Sequence, residues 1–317
     1  IKGNVKYPGA YPLGENMRVS DLVRASLDVL PATDMRYAIL RRESVNRDEV
    51  TLIPLSLDQA MNAEALEGDP LLHARDQLIV LSLTDQRNDL ISEYVAELRL
   101  QARHGQPESV VTIKGNVKYP GAYPLGENMR VSNLVRASLN LLPETDMEYA
   151  LIRRLSNDET VTIIPVSLND ALSHPDSERD IKLLSKDSLI VFNKDSIRRS
   201  QVENIISDLN RQAKLGDPAQ VVSVRGQVKE GGDYPITQGM RISDLVFAAR
   251  GLQEAAYSMT AEVTRYSIGL LGEFEASHRT INLGAAMAGD LSQNILIEPH
   301  DSVSIKQIPD WNAEEVV

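Results

Sequence analysis

Tyrosine, lysine and arginine recur at fixed spacing in this chain, and they are the side chains in it best suited to recognition chemistry. Lys6-Tyr7-Pro8-Gly9 and Lys118-Tyr119-Pro120-Gly121 repeat one another, and each is followed by a second tyrosine, Tyr11 or Tyr123. Tyr234 holds the matching place in a third, looser copy. Aromatic faces and hydroxyls arranged in this way suit contact with sugars or with a neighbouring subunit. They equally suit half-buried strand tyrosines whose hydroxyls stay wet. Arg18, Arg130 and Arg241 each follow a methionine just ahead of a helix. A guanidinium fork there can hold an acidic sugar or a carboxylate across an interface, or pair with acids of its own unit. Arg41, Arg153 and Arg265 end a strand in the three copies and admit the same two readings.

Catalytic and metal chemistry finds little support. His73, His104, His174, His278 and His300 fall at unrelated positions and lack ligand spacing, so no metal site is expected. The absence of cysteine removes thiolate ligands, thiol nucleophiles and disulfides. There is no phosphate-binding loop, nucleophile elbow or dinucleotide fingerprint, and no cofactor is called for. The recurring carboxylates fall at caps and turns, not in the facing pair that glycoside hydrolysis needs. The expectation is a protein that is not an enzyme.

The elements that must position these side chains come in triplicate. Ile1–Leu27 and Ile113–Leu139 are the same sequence except for Asp21 against Asn133, and Val224–Ala248 is a looser third version. In the second copy, Val110–Val117 alternates apolar and polar residues, as a half-buried strand does. Tyr119-Pro120-Gly121-Ala122 reads as a type II turn, which makes Ala122–Leu125 the return strand of a hairpin. Pro8-Gly9 repeats that turn, and Gly231-Gly232 keeps only its glycine. Ser132, Ser20 and Ser243 read as helix N-caps, with Asp21 and Asp244 favourably placed in the first turn. Two β-rich runs follow, Tyr149–Arg154 and Thr160–Val166, split by Ser156-Asn157-Asp158. A closing strand comes after a variable loop and is introduced by Asp76, Asp187 or Asp301. One short helix on a small mixed sheet is the economical way to bury both apolar faces, and this order is that of the β-grasp.

Between copies the period changes. Leu90, Ile91, Tyr94, Val95, Leu98 and Ala102 recur at helical spacing, with Gly105 and Pro107 to end the helix. Val202, Ile205, Ile206, Leu209 and Ala213 match them, followed by Gly216 and Pro218, and Ser200–Glu203 has the form of a capping box. These connectors are amphipathic helices of about 15 residues, roughly 22 Å long. Each has an apolar stripe that needs a partner. The fold class is therefore α+β: three tandem β-grasp domains joined by amphipathic helical connectors. The domains span 1–83 (with its opening strand cut short), 109–195 and 220–308, the connectors 84–108 and 196–219, and the tail 309–317.

A formal net charge of −12 argues against binding to nucleic acid or adsorption on anionic lipid. No apolar run reaches the ~20 residues that span a bilayer. The second copy has Val110-Val111-Thr112 ahead of its Ile113, whereas the first opens at Ile1. Targeting or anchoring segments are therefore expected to lie outside this sequence.

In the first two copies a strand ending G-x-V leads to P-G-x-Y-P-L and then a helix beginning V-S-x-L-V, and the third copy follows the pattern loosely. A Tyr-Ala strand follows, leading to Arg-Arg, and then a closing D-x-L-I-V strand. This assembled pattern resembles the SLBB domain, the soluble-ligand-binding β-grasp. Tandem copies joined by a helix ending A-x-x-G-x-P resemble the periplasmic part of outer-membrane polysaccharide export proteins. The resemblance implies a homo-oligomeric ring that passes capsular or exopolysaccharide outward and docks on an inner-membrane polysaccharide co-polymerase. It implies a periplasmic location, with attachment to the outer membrane through segments absent from this chain. The alternative is a soluble glycan- or small-ligand-binding module with no part in translocation. On either reading the candidate contact residues are Lys6, Tyr7, Tyr11, Arg18, Lys118, Tyr119, Tyr123, Arg130, Tyr234 and Arg241.

Overall fold

A computed structural model of the chain describes residues 1–44, 49–62, 68–84, 86–102, 108–156, 158–214, 217–268 and 274–311. Gly105, Pro107, Asn157, His104, Gly216 and the last six residues of the tail lie outside them.

Module 1 runs β1 (Lys2–Gly3), α1 (Val19–Ala25), β2 (Thr33–Glu43), β3 (Val50–Leu55), α2 (Leu57–Asn62) and β4 (Gln77–Ser82). A connector helix follows, α3 (Gln86–Gln101). Module 2 comprises β5 (Val110–Gly115), β6 (Gly121–Pro124), α4 (Val131–Ala137), β7 (Thr145–Leu155), β8 (Val161–Val166), α5 (Leu168–Ser173) and β9 (Ser188–Asn193). The second connector is α6 (Arg198–Gln212). Module 3 comprises β10 (Val221–Gly226), β11 (Gly232–Pro235), α7 (Ile242–Ala248), β12 (Ala256–Ile268), β13 (Phe274–Ile281), α8 (Leu283–Met287) and β14 (Ser302–Gln307).

Three mixed sheets result, ordered β1-β4-β2-β3, β6-β5-β9-β7-β8 and β11-β10-β14-β12-β13. In each, the opening strand lies parallel to the closing strand, with Lys2 opposite Ile79, Thr112 opposite Ser188 and Ser223 opposite Ser302. That crossover, with a helix packed on one face, is the β-grasp, and the chain is three tandem copies of it. In module 1 the core between helix and sheet is Val5, Val19, Leu22, Val23, Leu40, Leu57, Leu78 and Val80.

The opposite sheet face distinguishes the modules. In module 1, Tyr37, Ile39, Ile79 and Leu81 are buried too, because α3 lies over β3 and β4. Every residue of Leu78–Leu81 is therefore apolar and buried on one side or the other. In module 3 the closing strand alternates instead: Val303 and Ile305 are buried, whereas Ser302 and Ser304 lie on the partly exposed face.

Four local expectations are corrected. First, module 1 forms no return strand. In module 2 that strand pairs with Val110, Val111 and Thr112, which precede the residue equivalent to Ile1. Second, the link between the first two strands is not a type II turn. Gly9 and Gly121 take φ of 156° and 159°, far from the ~+80° of that turn. The loop instead arcs over the end of α4, where the Lys118 and Tyr119 amides donate to the Asn140 and Ser138 carbonyls (3.1 Å each). Third, the variable loop holds the short helices α2, α5 and α8, seated by Leu57 and Ala60, Leu168 and Ala171, and Leu283 and Ala286. Fourth, the serines are not N-caps. The caps are Arg18, Arg130 and Arg241, and each serine sits inside the first turn.

By contacts the chain divides into two compact units, residues 1–152 with 166–191, and residues 153–165 with 192–317. The division falls inside module 2 because α6 grips Arg153 at the end of β7 and Val161 at the start of β8, as described next.

Candidate functional site

The sites where side-chain chemistry concentrates are those where a connector helix meets the modules beside it. Aligned, the connectors share arginine, acid and amide at one spacing: Arg87, Glu97 and Gln101, and Arg198, Asp208 and Gln212. Each of the three acts as a rivet.

Gln101 accepts from the Val50 amide (2.8 Å) and donates to the Val50 carbonyl (2.5 Å), so its carboxamide stands in for a strand residue at the β3 edge. Gln212 does the same to Val161, at 2.8 and 3.1 Å. Arg41 holds Glu97 through two hydrogen bonds (2.9 and 2.6 Å), and Arg153 holds Asp208 at 3.0 and 2.8 Å. The third equivalent is not Arg265. Strand register places Arg265 with Arg42, because each pairs with the aspartate ahead of the closing strand, Asp301 or Asp76. Thr264 stands where modules 1 and 2 hold their following connector.

The arginine heading each connector is the most buried of these groups. Arg87 is fully enclosed; it pairs with Asp34 (2.5 Å), donates to the Ala137 carbonyl at the end of α4 and lies 5.2 Å from the Tyr37 ring centre. Tyr37 in turn meets Tyr123 edge to face, with ring centres 6.3 Å apart. In the second unit Arg198 donates to the Phe247 and Ala248 carbonyls at the end of α7 (3.1 and 2.6 Å) and lies 5.3 Å from the Phe192 ring. A cation suits a helix C-terminus, where carbonyls are left without intrahelical partners. The expected capping box at Ser200 is absent. Instead Glu230 of module 3 caps α6, accepting from the Arg198 and Arg199 amides (2.8 and 3.4 Å).

Tyr119, Tyr123 and Tyr234 lie at these junctions, and Tyr7 and Tyr11 hold the matching places on module 1. Tyr11, Tyr123 and Tyr234 each donate at 2.8 Å to a carbonyl four residues earlier, that of Tyr7, Tyr119 and Glu230, and so fasten the loop. Tyr119, Tyr123 and Tyr234 are buried; Tyr7 is exposed and Tyr11 half-buried. Lys6 and Lys118 are exposed and lie 5.9 and 5.6 Å from the rings of Tyr7 and Tyr119.

Arg18, Arg130 and Arg241 sit at the other end of the same helices, so the ten candidates do not converge on one site. Each arginine donates to a loop backbone carbonyl, that of Asp69, Asp180 or Asn294. The side chain of that loop residue caps the helix in return, accepting the amide of Ser20, Ser132 or Ser243 at 3.0, 2.9 and 3.0 Å.

Burial pushes the Tyr123 and Tyr234 hydroxyls up to about 12 and the Tyr37 hydroxyl higher still. A tyrosine whose folded pKa lies above its unfolded value of 10.0 stabilises the fold fully below pH 10, and that contribution is lost as pH rises through the folded value. Stability should therefore fall between pH 10 and about 12. Ultraviolet titration should show Tyr37 ionising only as the first unit unfolds, whereas early ionisation would contradict its burial.

A cleft of about 320 Å³ lies between the modules of the first unit, lined by Arg36, Tyr37, Pro54 and Gln59 of module 1 and by Asn133 and Arg136 of module 2, among others. Its volume is at the lower end of the range of small-ligand sites. Among the described residues no cluster of histidine and acid could hold a metal ion, and no helix is long and apolar enough to cross a membrane.

Parallel first and last strands, a helix between them and a loop over its end define a β-grasp domain. Residues 220–305 match the SLBB domain in one family description, and residues 1–26 and 110–138 match the SLBB domain in another. The chain is an SLBB-domain-containing protein. No curated protein matches it.

Proposed function

We propose that the chain is the periplasmic structural portion of an outer-membrane polysaccharide export protein, and that its modules stack between subunits to form a translocation ring. SLBB domains are found in polysaccharide export proteins. The observation that carries the reading is the riveting of successive modules by Arg87 and Arg198, each enclosed between a connector and the helix of the next module. Such joints repeat one kind of surface along the chain, and repetition multiplies contact area without new chemistry. On this reading the partners are capsular or exopolysaccharide, further copies of the chain, and an inner-membrane polysaccharide co-polymerase.

The chain has no cysteine, so pairs introduced on module surfaces report without background. In the intact protein such pairs should cross-link between subunits. Cross-links confined to regions outside the three modules would remove the ring assignment. The cleft supports a second reading, in which a small glycan binds between modules with Arg36 and Arg136 at its rim. Calorimetry with the cognate polysaccharide should then give heat that Arg36→Ala abolishes, and no heat at millimolar ligand would end that reading.

A further inference from the structure

Ile1–Leu27 and Ile113–Leu139 differ at one position, Asp21 against Asn133, and Asn133 lines the cleft of the first unit. Asp21 does two things. One carboxylate oxygen accepts the Arg18 amide at 3.0 Å and so caps α1, and the other pairs with Arg24 at 3.7 Å. Asn133 does only the first, accepting the Arg130 amide at 2.8 Å. The change keeps the cap and removes the acid that faces the arginine one turn on. Arg136, the counterpart of Arg24, lines the cleft beside Asn133. From module 1, β2 packs near α4 and brings Arg36 to the same cleft. Among the described residues neither guanidinium has a hydrogen-bond or ion-pair partner. Two unpaired cations brought to one cavity from different modules favour an anion there.

We propose that the cleft of the first unit takes a small sugar bearing a carboxylate, a uronic acid, with Arg36 and Arg136 holding the carboxylate. The proposal rests on the reading in which a small glycan occupies the cleft, and it does not depend on the ring. A guanidinium fork matches a carboxylate in charge and in shape. The rest of the lining fits a sugar better than a bare anion. Glu127 and Asp176 lie exposed at its edge, where they can accept hydroxyl protons but would repel phosphate. The Oδ1 of Asn133 is taken by the cap, which leaves its Nδ2 to donate into the cleft. Pro54 adds an apolar surface for the C–H face of a ring. The volume of about 320 Å³ keeps the occupant small. The cation pair is particular to this junction. One module on, Glu148 and Phe247 stand at the places of Arg36 and Arg136, and Asp244 stands where Asn133 does.

Calorimetry on the full chain tests this with methyl glucuronide and methyl galacturonide, each set against its neutral counterpart, methyl glucoside or methyl galactoside. At least one uronide should bind at least about tenfold more tightly than its neutral counterpart, as hydrogen bonds to a charged group would give. Asn133→Asp should weaken the uronide by at least about threefold and leave the neutral sugar unchanged. That variant keeps the fold, because module 1 carries aspartate at the same place in the same cap. Arg136→Ala should weaken the uronide by at least about tenfold. Equal binding of acidic and neutral sugars would overturn the proposal and leave the glycan reading standing, whereas no heat from any of the four would end both. Inorganic phosphate bound as tightly as the uronide would make the cleft a bare anion site and would also overturn the proposal. So would uronide binding that Asn133→Asp and Arg136→Ala leave unchanged.

Discussion

Arg87→Ala should destabilise the first unit by about 3–5 kcal/mol, the cost of removing one partner from an enclosed ion pair. Three groups lose their partner together. Among the described residues, Asp34 would keep its buried charge with only the Arg36 amide (3.0 Å) to answer it. The Ala137 carbonyl would lose its donor at the end of α4. The Tyr37 ring would face a void where the guanidinium had been. The unit should still fold, because the core between α1 and the first sheet does not include Arg87. Urea unfolding followed by a probe in the first unit should show the midpoint fall. Arg99→Ala, which removes an exposed pair with Glu108, should move it by less than about 1 kcal/mol. Equal effects from the two substitutions would mean that Arg87 is no more than a surface cation.

Arg87 and Arg198 do not stand out in the sequence, for a physical reason. A cation in the first turn opposes its own helix dipole, so locally it reads as a solvated charge. Its partner is the negative end of another helix, 50 residues later in both cases. The same limit explains the misplaced N-caps. A serine before an apolar run satisfies the local rule, but Asp69, Asp180 and Asn294 supply the cap from a loop 48 to 51 residues away. Aligning the two connectors with each other is the signal that would have found the rivets, since arginine, acid and amide coincide at offsets of ten and fourteen in both.

What was legible rests on period and repetition. The strand alternation, the helix between opening and closing halves, and the helical connectors follow from patterns that local burial enforces. Sheet coverage was legible as well. Leu78-Ile79-Val80-Leu81 and Leu189-Ile190-Val191-Phe192 have no polar position, so both faces of those strands must be covered. Ser302-Val303-Ser304-Ile305 has one polar face, and the structure leaves that face partly open. Exposure of the hairpin tyrosines was not legible, because identical residues are buried in one copy and open in the other according to what lies across from them.

The second large effect is expected at Gly115. The glycines of the three G-x-V strand ends, Gly3, Gly115 and Gly226, have φ near +90°, and a Cβ at each would fall about 2 Å from a carbonyl oxygen of the closing strand. At Gly115 that oxygen belongs to Val191, and the Asn116 amide donates to it at 2.9 Å. Gly115→Ala would meet backbone, which cannot swing aside, and would also carry the strain of a left-handed φ. The expected loss is about 3 kcal/mol or more. Gly14→Ala, whose φ is not positive and whose Cβ would meet only Met17 Cβ at 3.9 Å, should change stability by less than about 1 kcal/mol. Gly115 also turns the chain so that Lys118 and Tyr119 reach the end of α4, where Arg87 docks. Distorting that turn should already loosen the arginine's seat. The double variant Gly115→Ala/Arg87→Ala should therefore lose less than the sum of the two single losses, by more than about 0.5 kcal/mol. Strict additivity in that cycle would mean that the strand end and the connector joint are independent, and that the glycine serves only its own sheet.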